Sequence, residues 1–468
     1  MEKSNKLGRN ILFNLIVFGF MGQVAWAVEN NYFNTFLYNR IGGTPQDIAR
    51  MVAWSSVIAV LTTLIMGTLS DKLNRRKVFI SVGYIFWGLT VMAFAVISRE
   101  NVAHVLHLTD ETKIKLMTVN IVIVLDCLMT FMGSTSNDAA FNAWVTDVTN
   151  EKNRAKTESI ISLLSVFAMI AVTVAFGALA TNYGYSACFL GLGAVVMLCG
   201  IVGVFSIKDS RSGIVQTNSY WSGLIYGFRP SVVKNNKSLY LALASCCFYA
   251  IATQVFFPYI FIYLQHRLGF DFNNLNITPK AGIIAAVIVL VAVVGLIKIG
   301  GLIDRVGKSV FVFPSVLLFV AGLVGCSFMT KLSTFGIFAV PTLAGYGLLM
   351  IILNAAIRDF TPEDKVGQFQ GIRMIFYVLL PMVIGPRLGS FVTSKYADGY
   401  YTNDYGELVE IPVPKIYLAA AAVALFIIIP CVFLFKEWKA KEKAAKEESI
   451  TSAPETEEAE TPVSETAE

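Results

Sequence analysis

The chain has 468 residues, 55% of them hydrophobic and 15% charged, with a formal net charge of +5. Too few charged side chains are present to solvate a water-soluble fold of that size, so a large soluble catalytic domain is excluded. About twelve membrane helices of about 20 residues each would absorb the apolar supply.

Apolar runs place the spans in chain order. Residues 10–38 form span one and carry Glu29; 51–70 and 78–98 follow without charge. Residues 116–145 carry Asp126 and Asp138, and the charge-free stretch 159–207 divides at Asn182-Tyr183-Gly184 into spans five and six. The second series is 238–266, 281–303 with Lys298, 309–330, 332–357, 374–394 with Arg387, and 416–435. Most Lys and Arg fall on the side of the termini, which by the positive-inside rule puts both ends in the cytoplasm of a multi-pass protein of the plasma membrane. The first apolar segment lacks a cleavage site and exceeds a signal-peptide core, so it is expected to stay as span one.

These runs define four regions: a six-helix bundle over 1–207, a cytoplasmic linker over 208–237, a second six-helix bundle over 238–437, and a disordered acidic tail over 438–468. The seven cysteines, at 127, 188, 199, 246, 247, 326 and 431, all lie inside apolar runs without metal-ligand spacing and read as packing residues.

The two series repeat each other. Tyr32, Phe36, Leu37, Arg40, Ile41 and Gly42 recur at a constant offset as Tyr259, Tyr263, Leu264, Arg267, Leu268 and Gly269. Gly67, Leu69 and Asp71 recur as Gly300, Leu302 and Asp304; Asn142, Asp147 and Thr149 recur as Asn354, Asp359 and Thr361. Three blocks in the same order argue for duplication. The expected fold is all-α, twelve transmembrane helices in two six-helix bundles related as parallel repeats and enclosing a cavity open to either side in turn.

Charge in hydrocarbon is costly, so Glu29, Asp126, Asp138 and Arg387 should face the protein interior or water. Gln23, Trp26, Glu29 and Asn30 share one stripe of span one, a polar and aromatic lining suited to a hydroxylated ring. On span four Asp138 and Asn142 share a face, whereas Asp126, twelve residues earlier, falls about 120 degrees away on an α-helix and need not share the cavity. Asp138 would bind a substrate hydroxyl, carry a coupling proton or make a packing hydrogen bond. Arg387 would pair with Glu29 across the halves as a gate or hold an anionic group, while Lys298 would snorkel to the interface. Gln254 and Tyr259 lie on span seven, where Pro258 permits a bend. Asn354, the repeat partner of Asn142, would face it across the cavity or cap its helix.

The string Gly67-Thr68-Leu69-Ser70-Asp71-Lys72-Leu73-Asn74-Arg75-Arg76-Lys77 resembles the loop signature of the major facilitator superfamily, and Gly301-Leu302-Ile303-Asp304-Arg305-Val306-Gly307-Lys308 resembles its second copy. That resemblance implies a gate on the cytoplasmic face built from Gly67, Asp71, Arg75, Arg76, Asp147, Gly300, Asp304, Arg305 and Asp359. An Asp at a helix end paired with Arg or Lys suits such a latch. Gln23, Trp26, Glu29 and Tyr32, with Asn137-Asp138 ahead of Asn142, are similar to the glycoside-pentoside-hexuronide:cation symporters and sucrose-type carriers, as is the segment 362–386. Span two has no acidic residue, where sodium-coupled members carry carboxylates, so the cation implied is a proton, on Glu29 or Asp138, rather than sodium.

The reading is a monomeric secondary transporter, not an enzyme, importing a sugar or glycoside with a proton by alternating access. It needs no cofactor or metal and has no nucleic-acid partner. Two alternatives remain: efflux of an amphipathic compound, which predicts a cavity dominated by Phe and Met, and a non-transporting membrane sensor, which predicts closed ion pairs at Glu29 and Asp138.

Overall fold

In a computed structural model the described residues are 8–73, 75–149, 151–173, 177–209, 226–270, 302–303, 306–362 and 366–451. Ten of the described helices are long and apolar enough to cross a membrane. In chain order the helices are α1 (Arg9–Asn39), α2 (Pro45–Leu73), α3 (Arg76–Val96), the short α4 (Arg99–Leu106), α5 (Glu111–Val148), α6 (Glu151–Ala171), α7 (Gly177–Ser206) and α8 (Pro230–Asn235). They continue as α9 (Lys237–Arg267), α10 (Lys308–Phe328), α11 (Leu332–Phe360), α12 (Gly371–Lys395), α13 (Lys415–Leu425) and α14 (Ile428–Thr451). Strands β1 (Tyr400–Thr402) and β2 (Leu408–Glu410) pair antiparallel between α12 and α13. This hairpin is the one strand pair among the described residues of an otherwise all-helical chain. The eighth span expected from sequence, 281–303, lies almost wholly outside the described residues.

Local chemistry sets the helix ends. Thr44 and Asp47 cap α2 reciprocally, the Thr44 N–H donating to Asp47 Oδ2 (2.9 Å) and the Asp47 N–H to Thr44 Oγ1 (3.3 Å). The Asp110 carboxylate accepts from the Thr112 N–H (2.9 Å) at the start of α5. At Gly184 the backbone turns to φ +79°, breaking α7 where the sequence signals a break. The last helix overruns the expected tail boundary: α14 continues to Thr451, because the Lys-, Glu- and Ala-rich segment after Phe435 has strong helix propensity and Glu-to-Lys spacings of four. Its indole Trp438 is buried, so residue 438 still belongs to the packed body.

Helices α1, α2, α3, α5, α6 and α7 pack with one another, and α9 to α14 form a second group, with α2 against α12 as the main seam between them. The face where α1 begins is called here the N-terminal face, and the opposite one the hairpin face. Within the first group, α1 crosses α5 at Gly22. Asn137 Nδ2 donates to Tyr84 Oη (2.8 Å), whose hydroxyl donates to the Phe18 carbonyl (2.8 Å). A Cβ on Gly22 would stand 2.1 Å from Asn137 Nδ2 and 2.8 Å from Tyr84 Oη. Gly22→Ala is therefore expected to break this buried chain and cost about 1–3 kcal/mol. The check is thermal unfolding in detergent; an unchanged melting temperature would contradict the crossing.

Candidate functional site

Two wide turns shape the interior of the first group. Glu29–Phe33 of α1 and Ser134–Phe141 of α5 are π-helical. Polar side chains bonding back onto the preceding turn accompany both. Asn30 Nδ2 donates to the Trp26 carbonyl (2.8 Å) and Asn34 Nδ2 to that of Asn30 (2.7 Å). Thr135 and Ser136 donate to the carbonyls of Phe131 (2.7 Å) and Met132 (2.8 Å). Such turns recur at functional sites because they re-aim side chains.

Glu29 is buried and meets two hydroxyls from other helices. Ser55 Oγ of α2 lies 3.1 Å and Thr130 Oγ1 of α5 3.0 Å from Glu29 Oε1, and the two hydroxyl oxygens are 2.6 Å apart. Asp126, one turn before Thr130 on α5, is 2% exposed and stands close to both Ser55 and Glu29. Glu29 Oε2 and Asp126 Oδ1 are buried without a hydrogen-bond partner among the described residues. Three helices thus converge on an all-oxygen cluster in which, among the described residues, no ion pair neutralises either carboxyl.

Asp126, which on a regular helix need not share the cavity with Asp138, thus stands beside Glu29. The 120-degree offset holds for uninterrupted α-helix; through 134–141 each residue turns the chain by less, which brings Asp138 and Asp126 nearer in phase. Asp138 is half-buried, accepts from Ser134 Oγ (3.0 Å) and lies beside the Trp26 indole, whose ring packs on Trp87 at 5.2 Å. Sequence reasoning missed Ser55 and Thr130 outright. The Ser-Thr-Ser-Asn run at 134–137, which widens the helix, was the available signal for the change of phase.

The other expected site residues are placed as follows. Gln23, Trp26 and Asn30 are half-buried, as are Gln254 and Asn354 in the second group; Asn354 sits beside Tyr377, its own amide donating to the Met350 carbonyl (2.9 Å). Asn142 is exposed and donates back to the Asp138 carbonyl (3.1 Å). Arg387 is exposed and does not meet Glu29, because Glu29 is enclosed by Ser55 and Thr130 within the first group. Tyr259 is fully buried and serves the seam: its hydroxyl contacts the carbonyls of Pro386 (2.7 Å) and of Pro45 (3.1 Å), one from each group. Gly389 permits that approach, since a Cβ there would lie 2.7 Å from the Tyr259 ring.

On the N-terminal face two ion pairs occupy repeat-related places. Arg76 Nε pairs with Asp147 Oδ2 (3.1 Å) and donates from its terminal nitrogen to Ser70 Oγ (2.6 Å), while Lys308 pairs with Asp359 (2.5 Å). Each pair ties the first residue of one helix, Arg76 of α3 or Lys308 of α10, to the end of another inside its own half. Arg75 is exposed, and at Gly67 α2 runs close to Ala139 of α5. Gly300, Asp304, Arg305 and Lys298 lie outside the described residues, as does the side chain of Asp71.

The hairpin face is closed across the halves. Arg99, 3% exposed, makes two hydrogen bonds to Glu407 (3.0 and 2.8 Å), donates from Nε to the Ile41 carbonyl (2.8 Å) and lies 3.8 Å over the Tyr405 ring. Lys115 (2.9 Å) and Asn403 (3.0 Å) also reach Glu407. A Cβ on Gly42, at φ +76°, would stand 2.4 Å from the Arg99 guanidinium, so only glycine fits there.

The sequence profile of the Major Facilitator Superfamily matches residues 13–386 and again 273–465. The chain belongs to the major facilitator superfamily. Solved structures agree on the fold. The nucleoside transporter NupG superposes with a TM-score of 0.62 at 12% identity, over 91% of this chain and 98% of that one. A bacterial homologue of the human lysosomal transporter Spinster, inward-facing and occupied, gives 0.63 at 13% identity, over 92% and 96%. No curated protein sequence matches the chain. As a member of this superfamily the chain is a multi-pass membrane protein and a transporter of small molecules rather than an enzyme.

Proposed function

We propose that this transporter is a proton-coupled importer of a sugar or glycoside, of the glycoside-pentoside-hexuronide type, lying in the plasma membrane with both termini cytoplasmic. The observation that carries the coupling is the oxygen triangle of Glu29, Ser55 and Thr130. It contains three short O···O contacts, but its two hydroxyls supply only two protons. A third proton, carried on Glu29 Oε1, completes the triangle, and it lowers the cost of two buried negative charges, Glu29 and Asp126, side by side. Asp126 thereby joins Glu29 and Asp138 as a coupling residue. Because α2 offers Ser55 instead of a carboxylate, the cluster has one less negative charge with which to hold sodium.

Trp26 supplies an aromatic face, and Gln23, Asp138 and Gln254 supply hydrogen-bonding groups for ring hydroxyls. Counterflow in proteoliposomes tests this reading. Labelled glycosides should exchange with and without sodium, and an imposed proton gradient, acidic on the entry side, should drive accumulation. Exchange of none of a panel of hexosides, pentosides and hexuronides would reject the cargo class. Accumulation driven by sodium alone would reject the ion.

A further inference from the structure

A cavity of about 690 Å³ opens on the hairpin face, and Glu29, Ser55, Asp126 and Thr130 are not among the residues that line it. That volume is in the range of small-molecule sites. Its walls come from both halves and from the hairpin. Tyr32 and Asn39 belong to α1, Tyr185 to the turn within α7, Phe261 and Gln265 to α9, and Tyr401 to the hairpin. Tyr32 and Phe261 meet edge to face at 5.4 Å, and Asn39 donates to Gln265 across the seam (3.0 Å). Asp404, on the rim, pairs with Arg40 (3.0 Å), also across the seam.

We infer that this cavity is a second binding site, distinct from the transport site, for a neutral polyhydroxylated ring compound, and that its occupant holds the hairpin face shut. The chemistry is that of saccharide recognition: aromatic faces for the C–H face of a ring, with side-chain amides, hydroxyls and the carboxylates of Glu100 and Asp404 for its hydroxyls. The effect on conformation follows from the walls. Opening the hairpin face separates Tyr32 and Asn39 from Phe261 and Gln265 and splits the cavity. A ligand that binds only the intact cavity must shift the population toward the closed face. At about ten times its dissociation constant it would suppress opening about tenfold.

The test is hydrogen exchange by mass spectrometry on the full chain in lipid nanodiscs, with raffinose, cellobiose and methyl β-glucoside as probes. At least one probe should slow exchange of the hairpin, residues 400–410. Ser186 lines the cavity and is exposed, so Ser186→Trp fills the space; it should abolish the protection, whereas Ser186→Ala keeps it. Ala95→Leu fills the cavity from α3 and serves if the tryptophan disturbs the turn. Protection by none of the probes, or protection that survives both filling variants, would overturn the inference. Loss of counterflow with hairpin protection intact would instead count against the proposed cargo alone.

Discussion

Glu29→Gln and Asp126→Asn should each abolish uphill accumulation while leaving counterflow in place. Each substitution keeps shape and much of the hydrogen bonding but fixes the group as neutral, so the carrier resembles its protonated form at every pH. If one proton is coupled per solute, each unit of imposed pH gradient is worth about 1.4 kcal/mol, or tenfold in accumulation, and all of it is lost. Wild-type uptake should steepen with the gradient and that of the variants should stay flat. Ser55→Ala is a milder perturbation: removing one of the two donors to a buried carboxylate should weaken coupling without eliminating it. Normal accumulation in both carboxyl variants would remove the Glu29 cluster from the coupling mechanism. A neutral Asp126 variant that behaves as wild type while Glu29→Gln fails would confine the proton to Glu29.

Glu407→Gln is expected to loosen the hairpin face. Arg99 is almost wholly buried and has its carboxylate partner only while the halves are closed, so the substitution leaves a desolvated guanidinium with a weaker acceptor. Glu407 is 33% exposed, which tempers the effect to about 1.5–3 kcal/mol, the range for hydrogen bonds to charged groups, or roughly tenfold to a hundredfold in the open-to-closed ratio. Distance distributions between spin labels at Val105 on α4 and Phe391 on α12 should acquire a longer component. A distribution identical to wild type would show that the seam at Tyr259 closes this face unaided.

The pH dependence of the latch separates it from the coupling site. Hydrogen bonds from Arg99, with those from Asn403 and Lys115, hold the Glu407 carboxyl well below its ordinary value of 4.5, at about 2. A depressed carboxyl pKa contributes closure that is fully present above 4.5 and is lost as the pH falls through 2. Between pH 5 and 8 the latch should therefore be constant, and the Glu407→Gln effect should be independent of pH in that window.

The membrane class, ten of the twelve expected spans and the superfamily were legible in the sequence, because hydrocarbon thickness imposes a run length that composition reveals directly. So was the interior placement of Glu29, since a carboxyl in an apolar run has few other places to go. Partners were not legible. The phase of Asp138 relative to Asp126 depended on a π-helical segment that side-chain back-bonding accompanies, and a regular helical count cannot carry a residue through it; that Asp126 meets Glu29 depended on how α1 packs on α5. Tyr259 has the composition of a binding residue, yet the seam occupies its hydroxyl, and Arg387 has the charge of a gate, yet it is exposed. The hairpin latch joins Arg99 to Glu407 across 308 residues of chain, a contact that only the packing of the two halves brings about. Periodicity and burial are properties of single helices and can be read in one dimension, whereas which polar groups meet between helices is decided by the tertiary fold.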